Sequence, residues 1–388
     1  MRSATRAASL MILALGCAAD DGRGGAASAE AGINPTQGAG ADDDAATGEG
    51  TAAAADSGAT TGEGSTGVDP GGGSGPKFDL GGDTGDGLGE GGTACETEEC
   101  TCTIPDHVPC DAGNDLFQAI GLNCPGEPQV TATTTGPGGA MGVRTSFGGN
   151  NTFDPREGSR YAVIGSGLVG DLGSETPFFD SNGFPTYCND DLGAYDPGAN
   201  LPAPLRTNDV AGDCTNNLAL LGTGDCSNTI NGQFSQGGSA NDYVEMRFEL
   251  DVPPDVISFS YDFAFFSVEY PDYYGSQFND MYVGWLGSEL WTGNISFDAA
   301  GNPISLNAGF LDFRDDGANL AEFDNTCMKQ HAGTNWLTTT AGVAPSEHIT
   351  VVFAIFDLSD SILDSYAFID NFQWGCDPTG MPSTEPEG

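Results

Sequence analysis

Between residues 243 and 265 the chain keeps a strict period of two. Val244, Met246, Phe248, Leu250 and Val252 alternate with Glu245, Arg247, Glu249 and Asp251. After Pro253 and Pro254, Ile257, Phe259, Tyr261, Phe263 and Phe265 alternate with Ser258, Ser260, Asp262 and Ala264. Successive side chains of a strand point to opposite faces, so the pattern suits a half-buried sheet and no helix. The proline pair cannot donate to a ladder and divides the stretch into two strands. Shorter runs of the same kind predict strands at 130–134, 161–165, 281–286, 349–356 and 366–374, and only 115–120 reads as a helical turn or two. Many strands, long Gly/Asn/Asp loops and no strand–helix alternation predict an all-β fold. Its expected form is an antiparallel β-sandwich, jelly-roll-like, because an up-and-down barrel would space its strands evenly.

The strands begin only after a long stretch with nothing to build a core. Of 388 residues, 59 are glycine, and the segment 18–93 is Gly, Ala, Asp, Glu, Thr and Ser with no aromatic residue before Phe78. Too little apolar surface is available there to offset chain entropy, so 18–93 is expected to be a disordered acidic linker. A Gly-rich coil of about 75 residues has a root-mean-square span of roughly 45–50 Å. Acidic runs such as Asp42-Asp43-Asp44 read as a solvated, self-repelling spacer rather than as calcium ligands. The folded domain is expected over 94–377, with 94–126 a cysteine-rich entry segment and 378–388 a disordered tail.

Charge narrows the partners. The chain has 56 acidic residues against 11 basic ones, a formal net charge of −45. Nucleic acid and anionic headgroups need a positive surface, so neither is an expected partner, whereas divalent cations are.

Residues 1–16 carry Arg2 and Arg6, then Leu10-Met11-Ile12-Leu13-Ala14-Leu15 and Gly16, directly before Cys17. A charged start, a short apolar run and a small residue make an export signal too short to span a bilayer. The cysteine after it resembles the lipobox of bacterial lipoproteins, although Ala14 stands where that motif prefers leucine. The resemblance implies a signal peptide over 1–17 with lipidation of Cys17. Ala18, in place of an aspartate that would retain a lipoprotein in the inner membrane, points to the outer membrane and cell surface. Ordinary cleavage and secretion is the alternative.

Export explains the cysteines. With Cys17 set aside, ten remain: Cys95, Cys100, Cys102, Cys110, Cys124, Cys188, Cys214, Cys226, Cys327 and Cys376. In an oxidising compartment they predict disulfide bonds, with the pairing left open. The run Cys95 to Cys110, with His107 inside it, lacks the paired Cys-x-x-Cys knuckles of a zinc site.

Two sequence blocks carry a resemblance. Residues 265–280 read Phe-Phe-Ser-Val-Glu-Tyr-Pro-Asp-Tyr-Tyr-Gly-Ser-Gln-Phe-Asn-Asp, and residues 353–371 include Ala354-Ile355-Phe356-Asp357-Leu358-Ser359-Asp360-Ser361, Asp364-Ser365 and Ile369-Asp370-Asn371. With Asp115-Leu116-Phe117-Gln118-Ala119-Ile120-Gly121 upstream, these are similar to the choice-of-anchor L family. Ser267-Val268-Glu269 departs from the family's paired glutamates. The resemblance implies a surface or secreted domain with no agreed biochemical activity.

The acids of those blocks are the candidates for chemistry. Glu269, Asn279 and Asp280, with Asp272 beside them, lie in or near one loop, and Asp357, Asp360, Asp364 and Asp370 in or near another. Calcium takes six to eight oxygen ligands from carboxylates and carbonyls, so Ca2+ bound by Glu269, Asn279, Asp280, Asp357, Asp360, Asp364 and Asp370 is the expected cofactor. By alternation Asp370 shares an apolar face with Tyr366, Phe368, Phe372 and Trp374. The competing reading is that these residues only cap turns. Residues 312–317 are set aside as a calcium loop because Arg314 occupies a ligand position.

No Gly-x-Ser-x-Gly or His-Glu-x-x-His is present, and His331 and His348 read as loop or strand-edge residues. The chain is therefore not expected to be an enzyme. A cell-surface adhesion or matrix-interaction module, calcium-stabilised, is the first expectation, with an extracellular glycan or matrix protein as partner. A lectin-like carbohydrate binder stacking sugars on Tyr270, Tyr273, Tyr274, Trp285, Trp291 or Trp336 is the second, and a polysaccharide hydrolase the third.

Overall fold

The computed structural model describes residues 102–110, 113–174, 186–315, 319–378 and 380–387. The signal and lipidation site at Cys17, the linker 18–93, and Cys95 and Cys100 lie outside the described residues. Fourteen strands follow in chain order: β1 (Thr131–Thr135), β2 (Met141–Arg144), β3 (Tyr161–Gly165), β4 (Ala240–Asp251), β5 (Ser258–Ser267), β6 (Met281–Gly287), β7 (Thr292–Asn294), β8 (Ile304–Ser305), β9 (Phe313–Arg314), β10 (Ala332–Gly333), β11 (Leu337–Gly342), β12 (His348–Leu358), β13 (Ser365–Gly375) and β14 (Ser383–Pro386). They form two antiparallel sheets packed face to face, the expected all-β sandwich. One runs β1-β4-β12-β6-β7, with β8 also on β6; the other runs β14-β11-β5-β13-β3-β2, with β10 on β5 and β9 on β10.

With β1, β2, β14 and the two-residue strands set aside, eight strands remain. Counted from β3, they stand first-eighth-third-sixth (β3, β13, β5, β11) and second-seventh-fourth-fifth (β4, β12, β6, β7), the strand order of a jelly roll. Except for β6 and β7, which form a hairpin in one sheet, sequence-adjacent strands of these eight therefore alternate between sheets.

The alternating residues meet between the sheets. Val244, Met246, Phe248 and Leu250 of β4 and Val351, Phe353 and Ile355 of β12 face Phe259, Tyr261, Phe263 and Phe265 of β5 and Ala367 and Ile369 of β13. The Tyr261 and Phe353 ring centroids lie 4.5 Å apart across this layer. The outer faces are covered too. Tyr161, Phe266, Tyr366 and Phe368 pack beneath Phe147, Phe153, Phe323 and Trp336. On the other sheet Tyr243, Trp285, Val352 and Phe356 lie beneath Leu201, Leu205, Ile230 and Phe234. Burial on both sides explains the unbroken apolar runs Val351–Phe356 in β12 and Tyr366–Ile369 in β13.

Three expectations are corrected. The stretch 378–388 is not simply a tail, since residues 383–386 form β14 on the edge of β11. The turn near 118–120 is 3-10, and the α-helix among the described residues is α1 (Asn231–Gly237), which lies outside the one stretch expected to be helical. β11 escaped notice because its inward residue Thr339 is polar; it is buried on Ser296 (3.1 Å) and Thr384 (2.8 Å), so the period of two is kept by hydrogen bonds instead of apolar side chains. Among the described residues no helix is long and apolar enough to cross a membrane.

Among the described residues, four disulfides pair Cys102 with Cys376, Cys110 with Cys124, Cys188 with Cys327 and Cys214 with Cys226. The first spans 274 residues and fastens the entry segment to the residue after β13. Closing so long a loop constrains the unfolded chain by about 5–6 kcal/mol in the chain-entropy view. The double variant Cys102→Ser/Cys376→Ser is expected to lose about 3–5 kcal/mol in urea unfolding, whereas Cys214→Ser/Cys226→Ser, closing a 12-residue separation, loses less. Equal losses would contradict the assignment of the stabilisation to loop length.

Candidate cation site

Strand register decides which acids meet. Ser365 of β13 stands opposite Ser267 of β5, and Tyr366 opposite Gly165 of β3. In the other sheet Phe356 of β12 stands opposite Met281 of β6, and Asp357 opposite Asn241 of β4. One end of the sandwich therefore collects the close of β3, β5 and β12 and the start of β4, β6 and β13. Asp280 precedes β6, Asp357 is the penultimate residue of β12, Asp364 precedes β13, Glu269 follows β5 by two residues, and Asp242 is the third residue of β4.

All five are almost fully buried: Asp242, Asp280, Asp357 and Asp364 are 0% exposed and Glu269 1%. Ser365 Oγ donates to Asp280 Oδ2 at 2.7 Å, joining the sheets, and Leu358 N donates to Asp280 Oδ1 at 3.2 Å. Asp364 accepts from Asp190 N and from the Tyr366 hydroxyl, both at 2.9 Å. Gly167 leaves that carboxylate its room, since a Cβ there would lie 1.7 Å from Asp364 Oδ2.

The remaining oxygens are unsatisfied. Neither oxygen of Asp357 accepts a hydrogen bond of good geometry, with the Ser166 hydroxyl and the Asp280 carboxyl as its polar neighbours, and Glu269 Oε2, Asp242 Oδ2 and Asp360 Oδ1 are without partners. Among the described residues no arginine, lysine or histidine forms an ion pair with any of these acids. A buried carboxylate without a counter-charge is costly and must take up a proton or a cation. Burial accordingly pushes Asp357, Asp364, Glu269 and Asp280 well above the ordinary carboxylate range, with like-charged neighbours adding to the rise. Asp242 is raised to about 7 by the same causes.

Of the seven expected ligands, Glu269, Asp280, Asp357, Asp360 and Asp364 are gathered at this end. Asn279 is beside them, with its amide committed: Oδ1 accepts from Asn307 N at 2.9 Å and Nδ2 donates to Gln233 at 3.2 Å. Asp370 does not belong to the site. It sits far along β13, opposite Asp262, and accepts from the backbone of Arg156 (2.7 Å), Glu157 (3.3 Å) and Asn371 (2.7 Å). Asp370 thus anchors the loop before β3, and burial raises it to about 7. Its expected company was also wrong in part: a bulge between Asp370 and Gln373 shifts the phase, so Phe372 and Trp374 pack between the sheets while Tyr366 and Phe368 face outward. Asp242 and Asp190 were missed, because alternation hid the first at a strand start and the second lies in a loop far off in sequence.

The donor set is oxygen alone, which suits calcium or another hard divalent ion rather than zinc. The His107 neighbourhood does not compete. His107, Cys124 and Glu127 bring ligand atoms within 4.8 Å of one another, but Cys124 is bridged to Cys110. His107 instead holds Glu127 at 2.7 Å and Glu157 at 3.0 Å through its two ring nitrogens, a clamp on the entry segment.

The aromatic and histidine candidates are mostly structural. Trp285, Trp291 and Trp336 are 2–3% exposed, and Tyr270 is buried; Tyr274, at 45%, is open, with Arg314 5.0 Å over its ring. His331 is buried with Nδ1 2.6 Å from Tyr270 O, and His348 lies exposed at the start of β12 beside Asp251.

The chain matches no protein-family model, no curated protein and no solved structure.

Asp242 and Asp370 hold protons more tightly folded than unfolded, where aspartate titrates near 4. Their contribution is complete below about pH 4 and is lost as the pH rises through about 7. In chelator the melting temperature is expected to fall by roughly 5–10 °C between about pH 5 and about pH 8. A temperature rising over that interval would contradict the uncompensated burial.

Proposed function

We propose that this chain is a non-enzymatic, cell-surface display module for adhesion or matrix contact, whose loop-bearing end is set by calcium. The observation that carries the reading is Asp357: a fully buried carboxylate with no well-formed hydrogen bond to either oxygen, among four further buried acids that, among the described residues, pair with no arginine, lysine or histidine. A cation there would fasten the ends of six strands and, with them, the loops they support. The surface reading is supported by four disulfides, which persist in oxidising compartments, and by the export signal and lipobox-like Cys17 of the sequence. Lipidation of Cys17 would place the domain on an outer membrane with the acidic linker as its tether. The choice-of-anchor L resemblance is of a piece with this, since its two motif blocks, 265–280 and 353–371, converge on the same acids.

Asp357→Asn distinguishes this reading from simple turn capping. Calcium is expected to raise the melting temperature of the wild-type mature chain by several degrees, about the effect of ligand at one hundred times its dissociation constant. The variant loses that shift and melts higher than wild type in chelator, because one uncompensated charge is gone. A wild type indifferent to calcium would refute the cation reading. Calcium-dependent binding on a glycan array would redirect the module to carbohydrate, with Tyr274 as the first stacking candidate; turnover of a polysaccharide lost in Glu269→Gln would make it an enzyme.

A further inference from the structure

We propose that a hollow beside the outer strand β2 binds the carboxylate of an acidic sugar, a uronate, on Arg144. The inference is independent of the cation reading and concerns the opposite charge. Among the described residues β2 ends its sheet, so one side of it has no neighbouring strand. Val143, Arg144, Thr145 and Ser146, with Val169 and Gly170 from the turn after β3, line an open space of about 460 Å3 there. That is within the size range of small-molecule sites.

Arg144 is the unusual lining residue. It stands opposite Tyr161 of β3, half-buried, and its Nη2 donates to Val169 O at 2.7 Å. Nε is buried without a partner, while Nη1 and the second Nη2 hydrogen are uncommitted. Among the described residues no carboxylate lies within ion-pair distance of it, whereas Arg156 pairs with Asp262 and Glu387, and Arg247 with Glu245. The ionisable groups that act on Arg144 are the Tyr161 and Tyr366 hydroxyls, and burial pulls it below the ordinary arginine range. A partly desolvated guanidinium without a counter-charge favours an anion. In a chain with 56 acidic residues, its isolation leaves that place to an anion from outside.

The surroundings choose among anions. The planar guanidinium fork matches a carboxylate through two parallel hydrogen bonds. The Thr145 and Ser146 hydroxyls are exposed and make no hydrogen bond among the described residues, so they are free for sugar hydroxyls. Val143 and Val169 offer apolar surface to the ring. A net charge of −45 repels anions at a distance. The Debye length is only about 8 Å at physiological ionic strength, so remote acids are screened while a guanidinium in contact is not. Gly170 completes the space. Its φ of −59° and ψ of −34° suit any residue, yet a Cβ there would meet nothing within 4 Å, so a larger side chain would occupy the hollow.

Calorimetric titration of the mature chain at physiological ionic strength, without added calcium, tests the site with glucuronate, neutral glucose and a polyglucuronate as probes. Glucuronate is expected to bind and glucose not to. Arg144→Gln is expected to weaken glucuronate binding roughly 10–100-fold. Gly170→Leu fills the hollow without altering the guanidinium, and is expected to abolish binding at an unchanged melting temperature, which keeps the test open should Arg144→Gln fail to fold. Polymer binding lost in both variants, with the monomer too weak to detect, would support the same site and make a polysaccharide the source of the uronate; monomer binding without polymer binding would make it the free sugar. Glucose bound as tightly as glucuronate, binding unchanged in either variant, or no binding of monomer or polymer would overturn the proposal.

Discussion

The end of the sandwich where Asp242, Glu269, Asp280, Asp357 and Asp364 meet is the constraint around which the rest is arranged. Antiparallel pairing gives the strands no freedom here: Asp357 is fixed opposite Asn241, and Ser365 opposite Ser267, so the carboxylates are brought to one end of the sandwich by backbone register. Their mutual repulsion is opposed by the aromatic layers on three faces, which bury large rings and are indifferent to charge. The fold thus spends hydrophobic stability to hold an arrangement that only a proton or a cation neutralises.

Disulfides and acids divide the labour. Cys188–Cys327 and Cys102–Cys376 tie long loops and the entry segment to the body independently of pH and metal. The loops at the acidic end depend on whatever neutralises it. A chain of such strongly negative charge attracts divalent cations at every loop, whereas geometric selection among them can operate only where carboxylates are buried. Where the surface offers aromatics it offers few: the tryptophans are spent on packing, and Tyr274 alone among the expected stacking residues stands open.

The sandwich itself was legible. The alternation of β4 and β5 is long and regular, and both strands fall where the period of two puts them, with the apolar set between the sheets. Failures have local physical causes. In β11 threonines replaced the apolar residues that the pattern counts, and β14 consists of four residues without an apolar one. At Asp370 a bulge reverses the phase, which no strict period can foresee.

The sequence by itself determined the class of fold, the number of cysteines available for bridging, the excess of acid and five of the acids now gathered at one end, because side-chain period, composition and spacing are properties of the chain alone. Only the tertiary structure decided the jelly-roll order, the pairing of eight cysteines and the membership of the site. Asp242 and Asp190 enter it, and Asp370 leaves it, through contacts between residues 50 to more than 200 positions apart. Which distant carboxylates share a buried space depends on strand register and crossing connections, and neither is written in any local stretch of sequence.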